Sequence, residues 1–280
     1  MKEKGIYIIF ITVFTVLLAG CGKTKEARAH LAEAQGLYEN QNYEAAKLEI
    51  DSIRILYPQE VGVLKEALVL MRLVERGQSE RNIAFCDSLM PIRMEEAEQL
   101  KKGFVFEKNP EYDDIGNYIW KQLTIERNVQ RSYVRCGVDE KGVMYLASVY
   151  YGSRPLNHTG LKLSVPDGAY AETVAVPYDG GMNYRFKDEG NTTEAVTYKS
   201  EKCIDAVNFV YGVGDKIRIK AEYTGGTPYT LYLSENDKLA IKATFDLASV
   251  LSDIETMRVE KEKSTQKIMY LDEKLKNNEQ

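Results

Sequence analysis

Few residues in this sequence are equipped for chemistry, and their spacing narrows the field further. The chain holds two histidines, His30 and His158, and four cysteines, Cys21, Cys86, Cys136 and Cys203. Histidines 128 positions apart make no metal-ligand cluster, and His158 sits in Asn157-His158-Thr159, expected as a loop. The acidic pairs Asp113-Asp114 and Asp188-Glu189 fall in expected turns, and neither has the ligand spacing of a calcium loop. There is no Gly-x-Ser-x-Gly elbow, no glycine-rich phosphate loop and no His-Glu-x-x-His pair. The expectation is a non-catalytic protein with no metal and no cofactor. Paired carboxylates of the glycosidase kind stay open, because only tertiary structure brings them together.

Cys21 is placed differently from the other three. It follows a charged start (Lys2, Lys4) and a run of fourteen mostly apolar residues, IYIIFITVFTVLLA, and it precedes a charged stretch. A run that short suits the hydrophobic segment of an export signal better than a membrane span. Leu18-Ala19-Gly20-Cys21 resembles a bacterial lipobox at every position. The resemblance implies cleavage before Cys21, lipidation of its sulfur and acylation of the new N-terminus. Several acyl chains, at about 0.8 kcal/mol per buried methylene, hold a protein on a membrane where one does not. Gly22 stands where an inner-membrane retention signal has aspartate, so the expected location is the outer membrane, lipid-anchored. A chain rich in Tyr, Asn, Lys and Glu behind a lipobox resembles the lipoproteins of Bacteroidetes. With Cys21 spent on the anchor, three cysteines remain. Cys136 and Cys203, both in the strand-rich region of an exported chain, are the candidate disulfide, and Cys86 reads as a core residue.

The elements that must position these groups follow from composition. Of 19 tyrosines, 14 lie between Tyr112 and Tyr232, with 13 of the 20 glycines. That window reads as strands joined by tight turns, and its flanks as helix. The expected organisation is a signal peptide over 1–20, a helical region over 21–110, a β-rich domain over 111–233 and a long C-terminal helix over 234–280. In the first flank AEAQGLYENQNYEAAKLEIDSIRILYP resembles one tetratricopeptide repeat, with Ala34, Leu37, Tyr43, Ala46, Ile50 and Pro58 at the consensus positions. His30, Glu33 and Ile53 depart from it. One repeat cannot bury its own core, so this helical hairpin must pack on a neighbour. Apolar helix continues from Val61 to Lys102, with a kink or restart expected at Pro91.

In the middle window, SYVRCGV and VMYLASVYY flank Asp139-Glu140-Lys141-Gly142 as a hairpin. Asp215 to Tyr223 alternates, then turns at Thr224-Gly225-Gly226-Thr227 into PYTLYLS. Eight or nine such strands predict an antiparallel β-sandwich or barrel. Ser234 and Asp237 form a capping-box-like start to the last helix. Beyond them Ala240, Ala243, Leu247, Val250, Ile254, Met257, Lys261, Ser264, Ile268, Leu271 and Leu275 keep strict 3-4 spacing, a coiled-coil seam with a polar gap at Lys261 and Ser264. A stripe that long needs cover. The chain's own helical half has a matching length, about 60 Å at 1.5 Å per residue. The fold class is α+β: helical hairpins and the C-terminal helix packed as an antiparallel stalk, carrying the β domain.

A formal charge of −5 offers no basic face for nucleic acid. The expected partners are the membrane, through the Cys21 lipid, and a protein partner or a second copy, in a scaffold role. The alternative is a carbohydrate-binding β-module. Tyr145, Tyr150, Tyr151, Tyr170, Tyr178, Tyr184, Tyr198, Tyr211, Tyr223, Tyr229 and Tyr232 supply rings suited to stacking on sugars, and that reading expects some of them lined along one exposed face. An envelope hydrolase, the third reading, expects a deep pocket with two close carboxylates or a carboxylate beside His158.

Overall fold

The computed structural model describes residues 22–277; Cys21 and the segment before it lie outside that range. Helices α1 (22–39) and α2 (Tyr43–Leu56) form the expected hairpin. Helix α3 runs unbroken from Val61 to Lys101, through both Gly77 and Pro91. Ten strands follow: β1 (Phe104–Glu107), β2 (Asn117–Trp120), β3 (Tyr133–Asp139), β4 (Met144–Gly152), β5 (Gly160–Ser164), β6 (Tyr170–Glu172), β7 (Asn183–Asp188), β8 (Asn191–Lys199), β9 (Lys220–Thr224) and β10 (Tyr229–Tyr232). Helix α4 (Ile204–Gly212) interrupts them after β8, and α5 (Glu235–Lys276) closes the order.

The described residues divide into two compact units, 22–88 with 258–277, and 89–257. The divisions cut α3 and α5 rather than falling at their ends. In the first unit, Ala27, Ala34, Tyr43, Ala46, Ile50 and Ile53 of the hairpin share a core with Val63, Ala67, Leu70 and Val74 of α3. Here α3 is the neighbour that a lone hairpin requires. Gly77 is what lets it approach, since a Cβ there would stand 2.9 Å from the Tyr43 ring.

Helices α3 and α5 run antiparallel in the first unit, and an ion pair joins them in the second. In the first, Arg76 Nε meets Asp272 Oδ1 at 2.8 Å, Glu75 pairs with Lys267 at 3.3 Å, and Asp87 with Lys261 at 2.5 Å. In the second, Arg93 Nη2 meets Asp253 Oδ2 at 3.1 Å. These half-exposed pairs set register more than stability. The polar gap in the seam is thereby explained: Lys261 reaches Asp87, and Ser264 is small enough to be buried.

In the second unit the strands form two antiparallel sheets, ordered β1-β2-β3-β4-β8-β7 (sheet A) and β10-β9-β5-β6 (sheet B). Sheet A is open, so the arrangement is a sandwich of separate sheets and not a barrel. One core joins Val134, Cys136, Val138 and Leu146 of sheet A, Leu161, Leu163, Ala221 and Tyr223 of sheet B, Val207 and Val210 of α4, and Ile241, Leu247 and Leu251 of α5. Here α5 buries Ile241, Thr244, Ala248 and Leu251 beside the seam, a wider face than a coiled coil uses. Its start is the expected box: the Ser234 N–H donates to Asp237 Oδ2 at 2.8 Å, and the Asp237 N–H donates to Ser234 Oγ at 3.1 Å.

The expected strand from Asp215 begins only at Lys220, because Lys238 Nζ draws the carbonyls of Asp215 and Ile217 into a loop. Ile217 is exposed as a result. No helix among the described residues is long and apolar enough to cross a membrane.

Candidate functional site

Strand pleating sends alternate residues to opposite faces, and the register of sheet A sorts its side chains into rows. On the face away from the core, Arg135 of β3 aligns with Ala147 of β4 and Thr197 of β8. The next row is Tyr133, Val149, Ala195 and Tyr184, and beyond it Tyr151, Thr193 and Phe186. On the other side of the Arg135 row lie Gly137, Tyr145 and Lys199. Small residues along the middle strands leave space above the sheet, and aromatic rings border it. The segment 121–131 closes one side: Asn128 Nδ2 donates to the carbonyls of Gln122 and Thr124 at 2.9 and 2.8 Å, which presents Ile125, Val129 and Arg131 as a wall. The result is a groove of about 460 Å³, within the size range of small-molecule sites.

Tyr184 and Phe186, two residues apart on the edge strand β7, lie nearly parallel, their planes 8° apart. Both are exposed, as are Ile125, Val129 and Met182 along the rim. Five exposed large apolar side chains at one concave place mark a surface that meets something. Deeper in, burial raises the Tyr145 phenol well above its ordinary pKa and raises Tyr133 as well, so both stay neutral O–H groups. Arg135, with 16% of its side chain exposed, donates from Nη2 to Glu107 Oε2 at 2.7 Å. Its Nε is buried with no hydrogen-bond partner.

On the opposite face of the same sheet, between the two sheets, lies a polar cluster that the sequence did not announce. Ser148 Oγ and His158 Nε2 are 2.9 Å apart, and His158 Nδ1 and Glu194 Oε2 are also 2.9 Å apart. The connectivity is that of a nucleophile, a base and an orienting carboxylate. Its surroundings are those of a core: Ser148, His158 and Glu194 are 0, 1 and 2% exposed. The imidazole stacks on Tyr223 at 4.9 Å, and the Tyr198 hydroxyl lies 2.9 Å from Ser148 Oγ.

Glu194 also accepts the backbone N–H groups of Leu156, Asn157 and His158 at 2.8, 3.0 and 3.3 Å. It therefore fastens the segment entering β5 to β8. Burial alone would raise the Glu194 pKa, but those N–H donors and His158 outweigh it and hold the carboxyl below its usual value. Burial lowers the His158 pKa against the pull of Glu194. The pair is thus an ionised carboxylate accepting from a neutral ring.

The other sequence candidates disperse. Tyr145, Tyr151 and Tyr184 face the groove, joined by Tyr133. Tyr150, Tyr198 and Tyr223 belong to the core, and Tyr229 packs on Tyr150 and Tyr223. Tyr170, Tyr178 and Tyr232 lie under Lys162, Arg185 and Arg218 on the surface, and Tyr211 donates to Asp246. Cys86, Cys136 and Cys203 are buried free thiols. Instead of bridging, Cys136 Sγ lies 3.4 Å from Thr244 Oγ1 of α5, and Cys203 Sγ lies 3.4 Å from the Ser200 carbonyl. Asp113 caps its own turn by accepting the Asn109 N–H at 2.8 Å, while Asp188 lines the groove. Among the described residues no three His, Cys, Asp or Glu side chains group as metal ligands.

Sequence reasoning missed Ser148 and Glu194. The signal available was a polar residue at the inward position of each strand, beside Leu146 in β4 and Val196 in β8. The chain as a whole matches no protein-family description, no curated protein and no solved structure.

Proposed function

We infer that this is a non-catalytic, lipid-anchored protein of the outer membrane that holds a saccharide in the groove of sheet A. The groove carries the reading: flat rings at Tyr184 and Phe186 suit the C–H faces of a sugar, and Asn117, Gln130, Thr193 and Thr197 suit its hydroxyls. A concave site of this size favours a small ligand over the broad surface that a protein partner needs. Leu18-Ala19-Gly20-Cys21 supports the anchor. The closed surroundings of Ser148, His158 and Glu194 support a structural role for that cluster, because a substrate carbonyl would have to displace Tyr198 and Tyr223 to reach Ser148.

A glycan array probed with the full chain, and again with Phe186→Ala, tests the binding. The expectation is a small set of bound glycans that the variant loses, and an array with no hits refutes the reading. Palmitate labelling sensitive to globomycin tests the anchor, and a Cys21→Ser form that stays processed and membrane-bound counts against it.

A further inference from the structure

We propose that the saccharide in this groove is acidic, with a carboxylate-bearing sugar seated over Arg135 and Lys199. The inference rests on the saccharide reading and adds the ligand's charge to it. The chain is acidic, at −5, yet the charged side chains lining the groove are Arg131, Arg135 and Lys199 against the single carboxylate of Asp188. Counting Glu107, which holds Arg135 from β1, the balance is still positive. A cationic recess in an anionic protein concentrates anions and repels little that a neutral sugar would offer.

Placement within the sheet sharpens this. Arg135 stands on β3 inside the sheet, and its row continues through Ala147 and Thr197, so nothing large rises beside it on β4 or β8. A sugar laid across those two strands finds room beside the Arg135 stem. Lys199 is on β8, two strands across and one row along from Arg135, roughly 12 Å between the backbones. Glu107 lies on β1, across β3 from Lys199, so the two cations stand on opposite flanks of the recess. Their fields add on an acidic sugar laid between them. Glu107 engages only Nη2, and Nε has no partner in the protein. Nε is enclosed by the protein, so Nη1 is the donor left for a second carboxylate, a charge-assisted contact. Glu107 meanwhile fixes the guanidinium before any ligand arrives, which lowers the ordering cost of binding.

Calorimetry on the full chain with three probes tests the proposal: a digalacturonic acid, its methyl ester and the neutral digalactose. The acid is expected to bind at least about tenfold more tightly than the ester or the neutral sugar, the effect of one charge-assisted contact. Lys199→Gln and Arg135→Gln should each shrink that advantage without weakening the neutral sugar. Lys199 is exposed, so its variant keeps the test sound if Arg135→Gln fails to fold. Equal binding of all three probes overturns the proposal and leaves the saccharide reading standing. Acid preference unchanged by both variants also overturns it, since the charge would then be read elsewhere. Binding of a sulfated disaccharide but not the uronic acid overturns the carboxylate assignment. A chain that binds no saccharide at all removes the underlying reading, and this inference with it.

Discussion

Replacing Glu194 by glutamine isolates what the buried carboxylate does, because it keeps the volume and removes the charge. In the native unit Oε1 accepts from Leu156 and Asn157, and Oε2 accepts from the His158 N–H and from Nδ1. A glutamine can keep its oxygen on the first two. Its amide nitrogen then faces the other two, both donors in the native state. The imidazole can answer by changing tautomer, with Nε2–H donating to the Ser148 carbonyl 3.3 Å away. The His158 backbone N–H has no such recourse and is left buried without an acceptor. One orphaned donor costs about 1–3 kcal/mol, and two charge-assisted bonds become ordinary ones. The expected loss is about 2–4 kcal/mol, a large share of a typical domain's stability.

Urea unfolding followed by Trp120 fluorescence reads it, because Trp120 lies in the same unit, bound to Asn236 at 3.2 Å. A variant within about 0.5 kcal/mol of the parent, the range of ordinary surface changes, would refute the clasp. The same parent protein should lose stability in acid. Both folded pKa values lie below their ordinary ones, so the unfolded chain binds more protons as pH falls. The full contribution is present above about pH 6.5. It is lost progressively below that as His158 and then Glu194 would have to protonate. A stability that is flat or rising from pH 7 to pH 4 contradicts the assignment.

Two further outcomes rest on the same structure. Burial pushes the Cys136 thiol up to about 12 and Cys203 to about 11. Neither should be alkylated by iodoacetamide in the native protein at pH 8, while both should react in urea; rapid native labelling of either would show its site to be open. Gly142 turns the β3–β4 hairpin at φ +85°, and a Cβ there would stand 2.4 Å from the Ser252 nitrogen and 2.6 Å from the Ala248 carbonyl of α5. Gly142→Ala should cost about 2 kcal/mol or more, through strain and displacement of the helix. A melting temperature equal to the parent's would show that the turn and α5 do not meet as described.

Much of this architecture is written in short-range patterns. The Ala34–Ile50 hairpin, the hairpin at Asp139–Gly142, the Ser234–Asp237 cap and the seam of α5 all follow from residues within a few positions of one another, where periodicity reports which face is apolar. Patterns fail where a distant side chain intervenes. Asp215–Ile219 alternates like a strand, yet Lys238 holds its carbonyls in a loop. Phe85 sits in an apolar stretch of α3 and is exposed, while its neighbour Cys86 is buried. Helix α4 was not legible either, enclosed as it is in a window otherwise rich in strand signals.

What the sequence determined alone is therefore local: two helical flanks and a sheet-forming centre. The tertiary structure decided which side chains meet. Strand order in sheet A put β4 beside β8, and so set Ser148 and Glu194 on one face, where His158 from the segment entering β5 meets both. On the other face it gathered Arg135, Lys199 and the β7 rings around a common recess. The pairing of strands distant in the chain depends on closing long loops over a shared core, and no interval along the sequence encodes that.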